Sequence, residues 1–447
     1  MKDHHNPIID GPIFPALTKF AIPILFSLVL QALYGAVDLW MVSQFGTNAD
    51  VSAVSTGSQT IAIVTGIITG LSMGTTILLG QSVGERDDKR GADIIGTSVW
   101  IFTGISVILT AILLLSAPGL ATLLNAPGDA FGKTVQYIRI CGAGTIFVVG
   151  YNLLSGIFCG LGDSKTPLLF VGIACVVNLI GDYVLIDIFQ MGTVGAAIAT
   201  IGAQAISVVF SLLIIKKELP FPVHRENMGF QRDLAFSMVK LGLPIALLRM
   251  CNEISYLLIL GFVNTLGVIA SSGVGIAEKL VMFVILIPTT YMSAISAFVA
   301  QNRGANQPKR AKRAMWVGMA SAAVIGGILA YAAFFHGDLM SRLFINDPAV
   351  ISAAAEFLRA TAIECFILSI AYCFSGYFNG IEKTGFVMVE GVCASLLVRT
   401  PVAYFASIRP DPTLFGIGFS APAAAFFMLV LSALYYFFHG RKGAQFL

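Results

Sequence analysis

The sequence is poor in charge. Only 11% of its 447 residues are Asp, Glu, Lys or Arg, whereas 57% are hydrophobic and the mean hydropathy is +0.85. A soluble domain carries about 25% charged residues and about 45–50% apolar ones. So little charge cannot cover a water-exposed surface of this size, which excludes an ordinary cytosolic enzyme, a disordered chain and a secreted disulfide scaffold. The net charge of +3 is too small to favour nucleic acid as a partner.

Several chemical signatures are also missing. The seven cysteines lie in apolar segments and form no C-x-x-C pair, so neither a disulfide framework nor a zinc site is indicated. None of the five histidines falls inside an apolar segment, which argues against a catalytic or metal centre at membrane depth. The phosphate-binding pattern G-x-x-x-x-G-K-[ST] is absent, so no resident ATPase domain is expected. The sequence predicts a protein that is not an enzyme and holds no cofactor.

Long apolar segments dominate what is present. A transmembrane helix needs about 20 mostly apolar residues, whereas barrel strands are about 10 residues long with alternating polarity. Twelve candidate helices follow: 15–43, 52–80, 93–117, 133–158, 167–187, 193–215, 235–263, 273–300, 312–335, 350–379, 385–406 and 414–438. We therefore expect an all-α polytopic membrane protein with twelve transmembrane helices.

The basic residues predict the orientation. Most of the 27 Lys and Arg residues fall in the loops of one side, together with both termini. Near the loops of the other side lie only Lys133, Arg342 and Arg409. Because cytoplasmic loops are enriched in Lys and Arg, both termini and the long loop between helices 6 and 7 are predicted to be cytoplasmic. An even number of spans requires the same arrangement of the termini.

The chain also repeats itself. Three pairs of similar segments lie 220 or 221 residues apart: Gln81–Arg90 and Gln301–Arg310, Ser155–Gly160 and Ser375–Gly380, and Lys19–Ile24 and Lys240–Ile245. Six helices per half make this a parallel repeat about an axis along the membrane normal. We predict an N-lobe at 1–216, a cytoplasmic linker at 217–234 and a C-lobe at 235–447. Two similar bundles are typical of a transporter that works by alternating access.

Ionisable residues at membrane depth are costly, and they are functional candidates by default. In the first half, Asp38, Asp182 and Thr200 are predicted to share one depth, and Asn178 lies one helical turn before Asp182. Their oxygens suit a small hard cation, and two close carboxylates can also share a proton. The alternative is a hydrogen-bonded knot between helices that only fixes packing.

The second half has acids and bases together. Glu253 lies one turn after Arg249, a spacing that permits an ion pair, and Glu364 is predicted at a similar depth. Glu278 and Arg399 also fall inside predicted spans. Two interpretations stay open, a network of paired charges or a second ion-binding or substrate-binding locus around Glu253.

At these residues the chain resembles the MATE (multidrug and toxic compound extrusion) transporters. The resemblance rests on Pro23 and Tyr34–Asp38 in helix 1, Gln81 and Gly84 after helix 2, Gly160–Thr166 after helix 4, Asn178 and Asp182 in helix 5, and Gly195–Thr200 in helix 6. It covers almost the whole chain. It implies a V-shaped pair of six-helix bundles and the antiport of Na+ or H+ against organic, often cationic, compounds.

The resemblance also assigns roles. Asp38, Asn178, Asp182 and Thr200 match the family positions that hold the cation or proton. Gln31, Tyr34 and Asn152 match polar positions of the neighbouring cavity, and Glu253 matches an acid that other branches carry in helix 7. Those branches carry their helix 10 acid near Leu368, whereas this chain has Glu364 one turn away. We therefore favour the site in the first half as the coupling site.

The remaining expectations concern partners and location. The resemblance implies small organic substrates, a plasma-membrane location with multiple spans, and a monomer in the lipid bilayer. A flippase for lipid-linked oligosaccharides, from the same broad superfamily, is the alternative function. Such flippases tend to need a basic central cavity, whereas the first half here is acidic. The sequence leaves Na+ and H+ open.

Overall fold

The fold consists of helices throughout the part of the chain that the structure describes. The computed structural model describes residues 6–219 and 221–440. Within them, eleven helices are long and apolar enough to cross a membrane, and one further bent pair makes up to twelve spans. We number the spans α1 Ile13–Phe45, α2 Asn48–Glu85, α3 Asp88–Leu123, α4 Gly128–Ala143 with Thr145–Leu161, α5 Lys165–Ile188, α6 Gly192–Glu218, α7 Arg232–Asn264, α8 Val268–Gly304, α9 Pro308–Phe335, α10 Pro348–Gly380, α11 Thr384–Ser407 and α12 Leu414–Phe438. The predicted all-α polytopic fold is confirmed.

Three segments fall outside this description. They are residues 1–5 and 441–447, which belong to the predicted cytoplasmic termini, and Pro220 of the predicted linker.

The sequence predicted helix 4 as one continuous span at 133–158, whereas in the structure α4 consists of two helical parts. Its two parts meet at Gly144 with a bend of 51°. A Cβ at Gly144 would lie 2.2 Å from the Cγ2 atom of Ile201 on α6. Only a glycine lets the two helices approach this closely, and such a contact between helices cannot be read from hydropathy.

Two spans contain a π-helical segment that the sequence pattern did not predict. In α5 it covers Tyr183–Ile188 and begins directly after Asp182. In α11 it covers Cys393–Arg399. A π turn widens the helix and occurs frequently at functional sites. The same feature therefore stands in the fifth span of each half of the repeat.

The described helices group into two compact units. We call residues 26–246 the N unit, and residues 1–25 with 247–447 the C unit. Both boundaries lie inside long helices, just after Pro23 of α1 and Pro244 of α7. A proline inside a helix removes one backbone hydrogen bond and permits a bend there. The lobes 1–216 and 235–447 remain a prediction from the repeat. Relative to that division, the first part of α1 belongs to the C unit and the first part of α7 belongs to the N unit, and we call these two parts exchanged.

The exchanged part of α7 packs closely in the N unit. A Cβ at Gly74 of α2 would lie 2.4 Å from the carbonyl oxygen of Met238, and one at Gly242 would lie 2.6 Å from the carbonyl oxygen of Leu71. The helices α2 and α7 therefore meet backbone to backbone at two glycines.

The Asp50 carboxylate ties three chain segments of the N unit together. It accepts hydrogen bonds from the backbone nitrogen and hydroxyl of Thr193 over 3.0 and 2.6 Å, and it pairs with Lys133 at 2.8 Å. Thr47 and Asp50 also form a capping box at the start of α2. Gly192, with φ +51°, lies so close that a Cβ would be 2.7 Å from the carboxylate. This carboxylate therefore fixes the starts of α2 and α6 against α4.

A helix of each unit, α9 in the C unit and α3 in the N unit, holds the segment that leads into α1 or α7. In the C unit, the Arg310 guanidinium donates to the carbonyl oxygens of Ile8 and Gly11 over 2.9 and 2.5 Å. In the N unit, the Trp100 indole donates to the Met228 carbonyl oxygen over 2.8 Å, and Phe221 packs beside Gly91. In both halves of the repeat, a residue of the third span therefore binds the segment that precedes α1 or α7.

Candidate functional site

Three helices of the N unit bring the predicted polar residues of the first half together. Asp38 comes from α1 and Asp182 from α5, with relative exposures of 5% and 0%, and their carboxylates adjoin each other. The Tyr34 hydroxyl, one turn before Asp38, adjoins the Thr200 hydroxyl of α6. Asn178 is 1% exposed and lies one turn before Asp182. The structure therefore assembles the residues that the sequence placed at one depth.

Apart from one another, the polar atoms of this cluster lack protein partners. In the described chain no residue outside the cluster donates to or accepts from the Tyr34 hydroxyl, the Thr200 hydroxyl, the Asn178 amide nitrogen, one oxygen of Asp38 or either oxygen of Asp182. No Lys or Arg forms an ion pair with the two carboxylates in the same part of the chain. Two buried carboxylates side by side repel unless they share a proton or a cation. The arrangement thus leaves one positive charge to be supplied from outside.

The corresponding place in the C unit is built differently. The repeat offset of 221 between Pro23 and Pro244 relates Tyr34 to Ser255 and Asp38 to Ile259. The Ser255 hydroxyl donates to the Ser395 carbonyl oxygen over 3.0 Å and lies 2.9 Å from the Thr400 hydroxyl. The Ser395 hydroxyl in turn lies on the amide oxygen of Asn252. The hydroxyl and amide groups of this network are neutral and satisfy one another. The same offset relates Asp182 to Ala403 and Asn178 to Arg399, so no carboxylate stands at the matching positions.

The other predicted cavity residues of the N unit are spread out. Gln31 is exposed, whereas Asn152 is 8% exposed. The Asn152 amide oxygen accepts from the Thr69 hydroxyl over 2.9 Å, and its nitrogen donates to the Val148 carbonyl oxygen over 2.8 Å. Both ends of this amide are therefore used within the protein, which is the geometry of a residue that joins α2 to α4.

One neighbour of the cluster was missed by the sequence argument. Gln204 lies one turn after Thr200 on α6, and its amide oxygen is buried without a hydrogen-bond partner in the described chain. The spacing of four residues places both side chains on one face of the helix. A search for polar pairs at this spacing inside predicted spans would have found it.

The charged residues of the second half also cluster, within the C unit. Arg249, Glu253 and Tyr256 follow each other on one face of α7. Tyr372 of α10 lies beside Arg249, and Arg399, at the end of the π segment of α11, lies among Glu278 and Glu364. Glu364 is 8% exposed, whereas Glu253 is exposed. We call Arg249, Glu253, Glu278, Glu364 and Arg399 the C-unit charge cluster.

The ion pair that the spacing of Arg249 and Glu253 permits is not formed in the described chain. The ion pairs of the described residues are Arg90 with Glu85, Lys133 with Asp50 and Arg303 with Glu382. Arg249 instead lies beside Tyr372, and its Nε atom is buried without a hydrogen-bond partner. Helical spacing brings two side chains to one face, but their rotamers and their neighbours on other helices decide whether they meet.

Glu390 of α11 is a buried acid that the sequence argument overlooked. It is 1% exposed, and its carboxylate accepts a hydrogen bond from the Ser432 hydroxyl of α12 over 2.8 Å and one from the Ser375 hydroxyl of α10 over 3.4 Å. It falls inside the predicted span 385–406, so the rule applied to the other intramembrane acids would have found it. Its contacts join three helices of the C unit.

No transition-metal site accompanies these clusters. Over residues 6–219 and 221–440, no group of three His, Cys, Asp or Glu residues is placed to hold a metal ion. The N-unit cluster offers two carboxylates and neutral oxygens instead, a donor set that suits a proton or a hard monovalent cation.

Comparison with known proteins identifies the family. The MatE family model matches twice, at residues 23–184 and 244–405. The two matches are 221 residues apart at both ends, which confirms the predicted repeat. The chain therefore belongs to the MATE family, whose members are transporters and not enzymes. It is a multi-pass membrane protein.

Individual relatives span nearly the whole chain. The chain is 27% identical over 435 residues to a probable multidrug resistance protein of Bacillus subtilis, covering 96% of this chain and 95% of that protein. It is 23% identical over 387 residues to a multidrug export protein of Staphylococcus aureus, covering 86% and 85%. The solved outward-facing structure of a multidrug resistance MATE transporter matches with a TM-score of 0.92 and 18% identity over 99% of both chains, which supports the fold.

Proposed function

We propose that this protein exports small organic compounds across the plasma membrane in exchange for Na+ or H+. The observation that carries the proposal is the contrast between the two units. The N unit buries two adjoining carboxylates with no cation beside them in the described chain, whereas the C unit has the buried apolar residues Ile259 and Ala403 at the matching positions. A single uncompensated site is what a carrier needs to couple one ion to each transport cycle.

In this proposal the ion step belongs to the N unit. Asp38 and Asp182 hold the positive charge, either as a shared proton or as a bound Na+. Thr200 and the carbonyl oxygen of Asn178 serve as neutral ligands for Na+, because neither group takes up a proton near neutral pH. Binding removes the repulsion between the carboxylates, so the loaded and empty sites favour different packings of α1 against α5 and α6.

The substrate step uses polar residues within each unit. In the N unit the proposed substrate contacts are Gln31, Tyr34 and Asn152, and in the C unit they are Glu253 and Glu364. The acids suit small organic and often cationic compounds, and the names of the Bacillus and Staphylococcus relatives point to multidrug export. The protein works by alternating access in this scheme, as a monomer with both termini in the cytoplasm.

Efflux from proteoliposomes tests the proposal. The purified protein is reconstituted with a fluorescent organic cation, and a Na+ gradient and a pH gradient are imposed separately. Efflux that follows one gradient and stops when that gradient is dissipated supports antiport and names the ion. Efflux that ignores both gradients contradicts the proposal, and so does dye movement that is equal in protein-free vesicles.

A further inference from the structure

A cavity of about 1000 Å³ lies in the C unit at the start of α10. One side of it is formed by Ile351, Ala355 and Arg359, which follow one another on a single face of α10. The other side is formed by the short helix Gly337–Ser341 and the residues after it, and Phe415 at the start of α12 also lines it. The connection between α9 and α10 belongs to the side that the sequence predicts to be external. No member of the C-unit charge cluster lines this cavity.

Two arginines without a carboxylate partner line the cavity. Arg342 follows the short helix, and Arg359 lies about three turns after the start of α10. In the described chain no carboxylate oxygen lies within 4.0 Å of either guanidinium. A charged side chain within a span is costly unless it meets an opposite charge. The guanidinium fork binds a phosphate through two parallel hydrogen bonds, so two open forks on one cavity fit a phosphate group.

Two acids line the same cavity. The half-buried Glu356 carboxylate accepts a hydrogen bond from the Phe415 backbone nitrogen over 3.0 Å. Asp338 is exposed and lies one turn before Arg342. These carboxylates repel a bare phosphate but attract an ammonium group beside it. The charges therefore indicate a ligand that carries a phosphate next to an ammonium group.

The surface beside the cavity is apolar. Leu339 and Leu343 follow the two charged residues of this segment by one position each, and they are 61% and 81% exposed. Phe335 and Phe344, at the two ends of the segment, are exposed as well. Exposed apolar and aromatic side chains next to charged ones are typical of the boundary between hydrocarbon and lipid headgroups. The cavity therefore lies where the headgroups of membrane lipids are found.

We propose that this cavity binds the phosphoethanolamine headgroup of a phospholipid in the external leaflet, with Arg342 and Arg359 on the phosphate and Asp338 on the ammonium group. The acyl chains of this lipid lie against the exposed Leu339 and Leu343. The lipid is a bound ligand and not a transported substrate, so this site is independent of the proposed export function.

Three phospholipids with identical acyl chains provide the test. Phosphatidylethanolamine carries both groups, phosphatidylcholine carries a methylated ammonium that donates no hydrogen bond, and phosphatidylglycerol carries the phosphate without a cation. Their binding to the purified, delipidated protein in detergent is measured by native mass spectrometry for the wild type, Arg342→Gln, Arg359→Gln and Asp338→Asn. Arg409→Gln is the matched control, because Arg409 is exposed in a loop of the same side and does not line the cavity.

The expected result is selective. The wild type binds phosphatidylethanolamine about tenfold more tightly than the other two lipids, and either arginine variant loses about tenfold of this affinity because a charge-assisted pair is removed. Asp338→Asn brings phosphatidylethanolamine and phosphatidylglycerol to similar affinities, since the ammonium group loses its partner. Arg409→Gln changes each affinity by less than about twofold.

Three outcomes would overturn the inference. They are a wild type that binds the three lipids equally, arginine variants that bind phosphatidylethanolamine like the wild type, and displacement of this lipid by an equal concentration of soluble glycerophosphoethanolamine. The last result would identify a soluble phosphate ester as the ligand in place of a lipid. The comparison of lipids on the wild type needs no variant, so it decides the question even if a variant fails to fold.

Discussion

The hydroxyl oxygens of Ser255 and Thr400 lie 2.9 Å apart in the C unit, on the helices that repeat those of Asp38 and Asp182 in the N unit. At the positions that match the two carboxylates by the offset of 221, the C unit has Ile259 and Ala403, and the neutral hydrogen-bonded pair lies about one turn before them on the same two helices. The pair supplies a natural control for the coupling site, because both positions are polar, lie within spans and join the same two helices of their repeat.

The first prediction uses this control. Asp38→Asn abolishes gradient-coupled efflux while the protein still inserts and folds, because one carboxylate can no longer share the charge with Asp182. Ser255→Ala keeps coupling, since it removes a neutral hydrogen bond. Efflux from proteoliposomes and the elution profile in detergent are compared for both variants. Coupled efflux by a well-folded Asp38→Asn protein would refute the N-unit site.

The second prediction separates the two ions. Thr200→Val removes a neutral oxygen but no ionisable group, so it weakens the dependence of efflux on Na+ far more than its dependence on pH. Efflux is measured against Na+ concentration at fixed pH, and against pH without Na+. If wild-type efflux ignores Na+ but follows the pH gradient, the site carries protons and Thr200 is not a Na+ ligand.

The third prediction concerns Asp50. Asp50→Ala leaves the Thr193 and Thr47 donors without their acceptor, so it lowers the free energy of unfolding by about 2–3 kcal/mol. Lys133→Ala removes only a partner that is 38% exposed, so its effect is at most about 1 kcal/mol. Melting temperatures in one detergent compare the two variants. Equal melting temperatures for both would show that Asp50 does not hold the three segments together.

The fourth prediction tests the exchanged part of α7. Gly74→Ala places a Cβ 2.4 Å from the Met238 carbonyl oxygen, so it destabilises the protein by about 1–3 kcal/mol. Gly66→Ala, two turns earlier on the same helix, meets nothing within 4 Å and is expected to stabilise by about 0.5–1 kcal/mol through helix propensity. Thermal unfolding of the two variants should shift in opposite directions. A harmless Gly74→Ala would contradict the backbone contact between α2 and α7.

The fifth prediction concerns the docking of residues 7–11. Arg310→Ala removes the donors to the carbonyl oxygens of Ile8 and Gly11, so the short helix Pro7–Asp10 exchanges its amide hydrogens faster. Arg313→Ala is the control, because Arg313 is exposed on the same helix. Hydrogen–deuterium exchange of the N-terminal peptide reports the difference. Unchanged exchange in Arg310→Ala would show that other contacts hold this segment.

Much of the fold could be predicted from local features. Apolar length indicated the spans, the repeated segments indicated two related halves, and helical spacing placed Asn178 with Asp182 and Tyr34 with Asp38. The N-unit cluster could be anticipated because its members were predicted at one depth on three helices, and an intramembrane acid stands out against an apolar background. The same criterion, an acid inside a predicted span, would also have identified Glu390, which the sequence argument overlooked.

The remaining features depend on distances between helices. The break at Gly144 lies where Ile201 approaches, and Arg249 lies beside Tyr372 of another helix without pairing with Glu253. The exchange of the first parts of α1 and α7 follows from backbone contacts such as Gly74 with Met238. None of these neighbours is close in sequence.

The sequence by itself determined that this is a helical membrane protein with an internal repeat, because hydropathy and periodicity act on residues within a few turns of one another. Only the tertiary structure decided which buried polar atoms have hydrogen-bond partners. Ser255 and Thr400 find each other, whereas Asp38 and Asp182 face one another with no cation beside them in the described chain. That difference is set by the packing of helices far apart in sequence, since a hydrogen bond requires its two atoms to lie about 3 Å apart.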